Sequence, residues 1–259
     1  MQGKFIDKPQ NTMKKRIFGL IGYPLSHSFS KKYFTEKFAR EGIGDAQYEL
    51  FEIKTIEEFS TLVKAQTTLV GLNVTIPYKQ QVMPFLDYLD EVAEKIGAVN
   101  TIRFEENGQK AGYNSDYYGF KYSLEKWLNG ADIRNALVLG TGGASKAVIV
   151  VLQDMGITPQ LVSRITSVKA VSYEDLREKN LSNYPLIINT TPLGMTPKTE
   201  SFPDIDYEQL TSSHYCYDLV YNPEATFFMK KAATQGAKTK NGLEMLHLQA
   251  EKSWEIWNR

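Results

Sequence analysis

A cluster of glycines separates an apolar run from a helix-like pattern near the middle of the chain. Residues 136–139 are apolar, Gly140 and Gly142 follow them, and apolar residues recur at helical spacing after Gly143. Without a Cβ, the backbone of such a turn can approach a pyrophosphate, and the next helix then points unpaired N–H groups at the anion. The spacing therefore predicts a strand, a tight turn and a helix that bind a phosphate-bearing ligand. Because the motif is Gly-x-Gly-x-x-Ser rather than the three-glycine form, an ordinary strand-to-helix turn is the alternative interpretation.

A basic residue follows the next predicted strand. Residues 158–163 complete a βαβ pattern, and Arg164 stands where an acidic residue would hold a free ribose 2′-hydroxyl. A guanidinium is suited to a 2′-phosphate instead. We infer NADP rather than NAD as the dinucleotide, and a solvated loop charge is the alternative interpretation of Arg164.

A lysine and two polar side chains accompany a predicted strand in the first half of the chain. Asn73 and Thr75 lie near the end of a strand predicted over 69–76, and Lys79 comes just after it. In open α/β sheets, ligands bind outside the carboxyl ends of the strands, so these side chains are candidate ligand contacts. We predict a helix from about Gln80. The alternative for Lys79 is then a solvated lysine in the first turn of that helix, which the helix dipole disfavours.

Two serines and an aspartate precede predicted helices and are open to two interpretations. Ser28 and Ser30 come directly before a helix predicted over 31–40, so each can either cap that helix or bind a ligand. Asp116 follows a predicted hairpin and precedes a helix predicted over 117–128, so it can be a cap, a first-turn acid or a functional carboxylate.

The order of predicted elements indicates two α/β domains. Strands over 47–53 and 69–76 flank a helix over 56–65, and strand–helix alternation resumes after the glycine turn and ends in a short strand over 237–240. The last helix, predicted over 243–257, carries an apolar stripe, and we expect it to return to the first domain.

Composition excludes several classes of protein. The chain has 259 residues, 42% of them hydrophobic and 23% charged, which suits a folded protein with two domains. Its formal net charge is zero, so we expect no nucleic-acid partner. No apolar run reaches the roughly 18 residues of a membrane helix, and we expect a cytoplasmic protein, monomeric or homodimeric. The only cysteine, Cys216, excludes an intrachain disulfide and a zinc–cysteine cluster, and we expect no metal.

Several motifs occur together along the chain in the order found in one family. They are Ser28-Phe29-Ser30, Asn73-Val74-Thr75-Ile76-Pro77-Tyr78-Lys79, Gly97-Ala98-Val99-Asn100-Thr101, Asn114-Ser115-Asp116, the Gly140 turn, Asn189-Thr190-Thr191-Pro192-Leu193-Gly194-Met195, Tyr217-Asp218-Leu219-Val220-Tyr221 and Asn241-Gly242-Leu243. From about Phe18 to Gln249, the chain resembles the shikimate dehydrogenase family.

This resemblance implies an NADP-linked oxidoreductase that reversibly reduces 3-dehydroshikimate to shikimate, in the shikimate pathway of chorismate and aromatic amino acid biosynthesis. It also implies an N-terminal α/β substrate domain and a Rossmann-like NADP-binding domain, with the C-terminal helix returning to the first domain. The expected boundaries are 13–115 and 241–259 for the substrate domain, 116–240 for the dinucleotide-binding domain, and 1–12 for an N-terminal tail.

The resemblance also implies roles for particular residues. Ser28, Ser30 and Tyr221 would hold the substrate carboxylate. The residues expected around the ring hydroxyls and the reacting oxygen are Asn73, Thr75, Lys79, Asn100, Asp116 and Gln249. The expected coenzyme contacts are Gly140, Thr141, Gly142, Gly143, Ala144, Ser145, Ser163, Arg164, Thr190, Val220 and Gly242. Lys79 and Asp116 would form the catalytic pair, because hydride delivery to a ketone leaves charge on oxygen that an ammonium can stabilise and protonate.

The chain departs from the family pattern at three places. Lys31 replaces a frequent proline, and Ser115 replaces a threonine while keeping its hydroxyl. Ser163-Arg164-Ile165 replaces the Asn-Arg-Thr typical of NADP users, so Arg164 alone carries the NADP prediction. Two alternatives therefore stay open: a quinate/shikimate dehydrogenase that uses NAD, and a non-catalytic coenzyme- or ligand-sensing module on the same fold.

Overall fold

The structure is a computed structural model, and it describes residues 15–25, 28–168 and 170–259. The predicted tail, residues 1–12, and the loop residues Ser26 and His27 lie outside the described residues. In the part of the chain that is described, the strands form two sheets of six strands each. No helix among the described residues is long and apolar enough to cross a membrane.

The first sheet is mixed and comes from the N-terminal part of the chain. Its strands are β1 (Arg16–Gly22), β2 (Ala46–Glu52), β3 (Leu69–Val74), β4 (Tyr88–Leu89), β5 (Thr101–Phe104) and β6 (Lys110–Tyr113). They lie in the order β2-β1-β3-β5-β6-β4. β1 pairs in parallel with β2 and β3, whereas β5 is antiparallel to β3 and β6. The carboxyl ends of β1 and β3 therefore lie side by side, as the sequence predicts for a ligand site.

Three helices flank this sheet: α1 (Phe29–Arg40), α2 (Glu58–Ala65) and α3 (Glu91–Ile96). α1 begins two residues earlier than predicted, because the Ser28 side chain caps it by accepting a hydrogen bond from the Lys31 amide. The sequence analysis did not predict α3, which Asp90 caps at its start and Gly97, with φ of +67°, ends.

The helix predicted from about Gln80 is wrong. Residues 77–82 form turns that lead into a single 3₁₀ turn, Met83–Phe85. Pro84 explains the difference, because proline lacks the backbone N–H that would continue an α-helix from residue 80 through residue 84. Lys79 therefore lies in a turn and not on a helix.

The second sheet is parallel throughout and matches the predicted dinucleotide-binding order. Its strands are β7 (Asn135–Leu139), β8 (Thr158–Ser163), β9 (Ala170–Ser172), β10 (Leu186–Asn189), β11 (Tyr215–Asp218) and β12 (Lys238–Lys240). Their order, β12-β11-β10-β7-β8-β9, is the 3-2-1-4-5-6 arrangement of a doubly wound sheet. The helices between these strands are α5 (Gly143–Asp154), α6 (Tyr173–Arg177) and α7 (Phe227–Thr234). The Rossmann-like prediction is confirmed.

Two further helices, α4 (Ser115–Leu128) and α8 (Leu243–Trp257), pack against each other. Their backbones approach closely at Gly119, where a Cβ would lie 2.6 Å from the Met245 carbonyl oxygen. Met245, near the start of α8, belongs to the core of the second sheet, whereas Ile256 and Trp257, at its end, belong to a core of the first sheet. The predicted return of the last helix to the first sheet is thus confirmed, and the same helix joins both cores.

Candidate active site

One cavity of about 270 Å³ lies at the carboxyl ends of β1 and β3. All the side chains predicted around the substrate line it: Ser28, Ser30, Asn73, Thr75, Lys79, Asn100, Asp116, Tyr221 and Gln249. Tyr221 follows β11 of the second sheet, and Gln249 lies on α8. The wall of the cavity is therefore built from both halves of the chain.

Lys79 and Asp116 form an ion pair inside this cavity. Lys79 Nζ lies 2.7 Å from Asp116 Oδ2, and the two side chains are 20% and 15% exposed. Partial burial weakens solvent screening, so the pair holds its geometry better than a surface ion pair. A cation and a carboxylate within hydrogen-bond distance, open to a small cavity, can protonate an oxygen and accept a hydroxyl proton.

Asp116 is free for this pairing because another residue caps α4. The Asn114 side chain accepts a hydrogen bond from the Tyr117 amide, and its Nδ2 donates to the Ala98 carbonyl at 2.9 Å. Asp116 is left in the first turn of the helix, where a negative charge is favourable. On the other side of the pair, the turn at Lys79 is fixed by a hydrogen bond from the Val99 amide to its carbonyl, at 2.7 Å.

The two serines lie where α1 begins, and both line the cavity. Ser28 caps the helix with a long hydrogen bond of 3.4 Å and also lines the cavity. Phe29, between the serines, lines the cavity as well, and its ring lies edge-on to Tyr221 with the centroids 6.0 Å apart. Burial raises the pKa of Tyr221, so its hydroxyl stays protonated and can donate to an anion.

A second cavity, of about 490 Å³, lies at the carboxyl end of the second sheet. Six of the predicted coenzyme contacts line it: Gly140, Thr141, Gly142, Ser163, Arg164 and Thr190. Gly140 has a φ of +107°, and a Cβ there would lie 2.8 Å from Thr191 Cγ2. The turn therefore needs glycine at that position, for both its backbone angle and the close approach of the Thr191 loop. The exposed Arg164 guanidinium lies at the end of β8, as predicted.

The other predicted coenzyme contacts do not line this cavity. Gly143 and Ala144 are in the first turn of α5, and the buried Ser145 donates its hydroxyl to the Gly142 carbonyl at 2.6 Å, which closes the turn. Val220 follows β11 and accepts a hydrogen bond from the Gly242 amide at 3.2 Å. A Cβ on Gly242 would collide with the Leu219 carbonyl, so this glycine permits α8 to begin against the β11 loop.

The sequence analysis missed several residues that line the two cavities. In the larger cavity these are Val162, Tyr173, Thr191, Pro192 and Leu193, of which the last three belong to a motif that was quoted but not assigned to the site. In the smaller cavity they include Leu25, Phe29 and Leu246. Val162, Leu193, Leu25, Phe29 and Leu246 are residue types of an ordinary core, so the sequence offers no local signal that separates them from the core.

A buried aspartate connects the loops that border the two cavities. Asp218, fully buried at the end of β11, accepts hydrogen bonds from Asn189 Nδ2 at 2.9 Å, the Val220 amide at 3.0 Å and Thr226 Oγ1 at 2.6 Å. Burial raises the pKa of Asp218 to about 6, although its three donors oppose that shift. Asn189 Oδ1 in turn accepts from the amide and hydroxyl of Thr191, so one network fixes both the β10 and β11 loops.

Among the described residues, no group of three or more His, Cys, Asp or Glu side chains is placed to hold a metal ion. The donors around the two cavities are instead hydroxyls, amides, one lysine and one arginine. These groups suit the carboxylate, hydroxyl and phosphate oxygens of organic ligands.

The fold and the site define a class: a two-domain α/β protein with a doubly wound dinucleotide-binding sheet and a lysine–aspartate pocket. Residues 20–102 match the family model described as the shikimate dehydrogenase substrate binding domain. The curated shikimate dehydrogenase (NADP(+)) of Clostridium beijerinckii is 42% identical to this chain, over 93% of this chain and 91% of the relative. The chain belongs to the shikimate dehydrogenase family.

Two solved structures have the same architecture. Shikimate 5-dehydrogenase from Thermus thermophilus, in complex with NADP(H) and shikimate, is 30% identical with a TM-score of 0.78, covering 93% of this chain and 92% of that one. Quinate dehydrogenase from Corynebacterium glutamicum, in complex with NAD, is 27% identical with a TM-score of 0.85, covering 94% of this chain and 93% of that one.

Proposed function

We propose that this chain is an NADP-dependent shikimate dehydrogenase, which reversibly reduces the ketone of 3-dehydroshikimate to the hydroxyl of shikimate. The observation that carries the proposal is the Lys79–Asp116 pair, 2.7 Å apart in a cavity that also contains the serines and amides predicted for substrate. A sensing module would bind ligands without needing this acid–base pair, so its presence favours an enzyme.

The walls of the smaller cavity offer complementary groups for each part of the substrate. Ser28, Ser30 and Tyr221 supply hydroxyl donors for a carboxylate. Asn73, Thr75, Asn100 and Gln249 supply amides and a hydroxyl with which ring hydroxyls would exchange hydrogen bonds. Every one of these groups is neutral, so the substrate is positioned by directed hydrogen bonds, and the charge in the cavity is concentrated at the Lys79–Asp116 pair.

The proposed chemistry needs one proton transfer from the protein. When bound, the nicotinamide supplies the hydride for reduction and accepts it in the reverse direction. In the reduction, Lys79 donates a proton from Nζ to the oxygen that gains negative charge, and Asp116 orients that amine. In the oxidation, the lysine amine takes the proton from the substrate hydroxyl.

The larger cavity is suited to the dinucleotide. Gly140 permits the tight turn before α5, and Gly142 and Gly143, at the start of that helix, have no atom within 4 Å of a hypothetical Cβ. The helix start can therefore meet a pyrophosphate. We propose that Arg164 contacts the 2′-phosphate, and that Ser163 and Thr190 border the same ligand.

We also propose the domain boundaries expected from the sequence, 13–115 with 241–259 and 116–240, with residues 1–12 as a tail. The division of the strands into two separate sheets, β1–β6 and β7–β12, supports these boundaries. The single buried cysteine, Cys216, supports a reducing compartment, and we propose the cytoplasm.

The test is an absorbance assay at the reduced-nicotinamide band, with shikimate and quinate each offered against NADP and NAD. We expect the highest kcat/KM with shikimate and NADP. A kcat/KM for quinate with NAD that exceeds the value for shikimate with NADP would support the second candidate, a quinate/shikimate dehydrogenase. That candidate is favoured by Ser163 and Ile165, which stand where NADP users typically have Asn and Thr, so Arg164 alone in this stretch is proposed to contact the 2′-phosphate. Binding of shikimate without reduction of either coenzyme would indicate a sensing module.

The role of Arg164 is tested by Arg164→Leu. Because a hydrogen bond to a charged group contributes about 1.5–3 kcal/mol, we expect KM for NADP to rise about 10- to 100-fold while KM for NAD stays the same. Arg177→Leu is the matched control, since Arg177 is an exposed arginine of the same half of the chain whose partner is Asp204. If Arg164→Leu changes KM for NADP and KM for NAD by the same factor, the 2′-phosphate contact is contradicted.

A further inference from the structure

Three hydroxyls form a buried cluster behind the smaller cavity. The side-chain oxygens of Thr101, Ser115 and Ser253 lie 2.9 to 3.1 Å from one another, and all three residues are fully buried. We call these residues the hydroxyl cluster. They come from β5, the start of α4 and α8, so the cluster joins three elements at one point.

The hydroxyl cluster holds the amide side chains that line the cavity. Asn73 Nδ2 donates to Ser253 Oγ at 2.9 Å. Asn100 Oδ1 accepts from the Ser115 amide at 2.6 Å and from Thr101 Oγ1 at 3.1 Å. With Oδ1 engaged in this way, Asn100 Nδ2, which has no hydrogen bond to another described residue, is the end of the amide left for a ligand.

The opposite end of the Asn73 amide is fixed as well. Tyr48, buried and stacked on Phe34 with centroids 4.7 Å apart, donates its hydroxyl to Asn73 Oδ1 at 2.8 Å. Two consecutive hydrogen bonds therefore link Tyr48 through the Asn73 amide to Ser253.

The orientation of the Asn73 amide is set at Nδ2, which also donates to the Asn100 carbonyl at 3.3 Å. Ser253 Oγ donates its own proton to the Gln249 carbonyl at 3.0 Å and therefore accepts from Nδ2, so a flipped amide would place Oδ1 against two acceptors.

We propose that Ser253 and Tyr48 are positioning residues for the substrate: from opposite ends they fix the Asn73 amide in the orientation that binds the ring. This inference rests on the proposed function. Neither residue lines the cavity, so both act through Asn73 and, for Ser253, through the rest of the hydroxyl cluster.

The test compares steady-state kinetics of Ser253→Ala and Tyr48→Phe. Each variant removes one hydroxyl, and Tyr48→Phe keeps the stacked ring. For each we expect KM for shikimate to rise about tenfold, the effect of one lost hydrogen bond, with KM for NADP and kcat changed less than about twofold. Because both hydroxyls act on one amide, the double variant should raise KM by less than the product of the two single effects.

Ser123→Ala is the matched control. Ser123 is also a fully buried serine, but its hydroxyl lies 2.9 Å from the Tyr217 hydroxyl, away from the cavity. An unchanged KM for shikimate in both Ser253→Ala and Tyr48→Phe would overturn the inference. An equal rise of that KM in Ser123→Ala would also overturn it, as would equal rises of KM for shikimate and KM for NADP in the two variants. Wild-type protein that reduces neither coenzyme with shikimate refutes the proposed function itself. Active wild type with unaffected variants refutes only the positioning role.

Discussion

At the scale of single residues, the proposed catalysis depends on two charged side chains, Lys79 and Asp116, that neither cap a helix nor fix a turn. Asp116 is the second residue of α4, and Asn114, at the capping position, accepts the hydrogen bond that caps the helix. Lys79 lies in a turn fixed through its own backbone carbonyl, so its side chain is not needed for the fold. Each charge is therefore available to the other and to a ligand between the two sheets.

Lys79→Ala should lower kcat by about 10²–10⁴-fold, the typical contribution of a general acid–base group. Substrate binding should largely persist, because the hydroxyls and amides of the cavity are untouched. The measurements are kcat by coenzyme absorbance and shikimate affinity by calorimetry.

Lys95→Ala serves as the control for removing a lysine from an ion pair, because Lys95 pairs with Asp154 on the protein surface. It should leave kcat unchanged. A Lys79→Ala enzyme with near-normal kcat would show that the proton comes from another source.

The sequence predicted the residues that line the substrate cavity better than the buried residues that hold those side chains in place. Asn73 and Asp116 were identified because they stand near the end of a strand and the start of a helix, and Asn100 because it belongs to a motif of the family. Ser253 has no such signal: it is one small residue inside a helix, and only the fold brings it to Thr101 and Ser115. Hydrogen-bond partners far apart in sequence follow from tertiary packing, which local patterns do not encode.

At the scale of elements, the parallel strands position both cavities, and the loops after β10 and β11 border them. These loops are held together by Asp218, which also accepts from Thr226, the cap of α7. A carboxylate with three donors can bridge three backbone segments that no single neutral side chain would reach with equal strength. The same elements were predicted correctly because glycines and prolines end them, whereas the short α3 and the turn at Pro84 were not.

Asp218→Asn tests the energetic cost of that buried charge. The unfolded pKa of an aspartate is about 3.9, and the folded pKa of Asp218 is about 6. Between these values the folded protein holds a proton that the unfolded chain has released, so raising the pH lowers the contribution of Asp218 to the free energy of unfolding. The stability of wild type relative to Asp218→Asn should therefore fall by about 2 kcal/mol from pH 4 to pH 6.5, as measured by urea unfolding.

A second aspartate gives a control of opposite sign. The Thr166 hydroxyl and the Ser172 amide and hydroxyl lower the pKa of Asp175 to about 2. Its contribution is present above the unfolded pKa and is lost as the pH falls toward 2. Wild type should therefore gain stability relative to Asp175→Asn as the pH rises through this lower range. A flat difference for Asp218→Asn between pH 4 and pH 6.5 would contradict the raised pKa.

At the scale of the whole molecule, α8 makes the two sheets depend on one another. The helix begins after Gly242, against the β11 loop. In its first turn, Glu244 forms ion pairs with Lys126 of α4 and Lys240 of β12, and these lysines lower the pKa of Glu244 to about 2. Its last turn packs Trp257 over Gly71 of β3. Gln249 and Ser253 lie between these two anchors, so the substrate cavity takes one wall from a helix that both cores hold in place.

Trp257→Ala should therefore damage substrate binding without touching the cavity. Trp257 is 3% exposed, packs on Phe18 and Phe34, and donates from Nε1 to the Ile102 carbonyl at 2.9 Å. Truncating a buried tryptophan costs about 3–5 kcal/mol of stability, and the loosened end of α8 should raise KM for shikimate while KM for NADP stays the same.

Trp127→Ala is the comparison, because Trp127 packs on Tyr215 and Tyr217 of the second sheet. It should lower the free energy of unfolding and leave the shikimate KM unchanged. If both tryptophan variants raise that KM equally, general loss of stability explains the effect, and α8 does not couple the first core to the cavity.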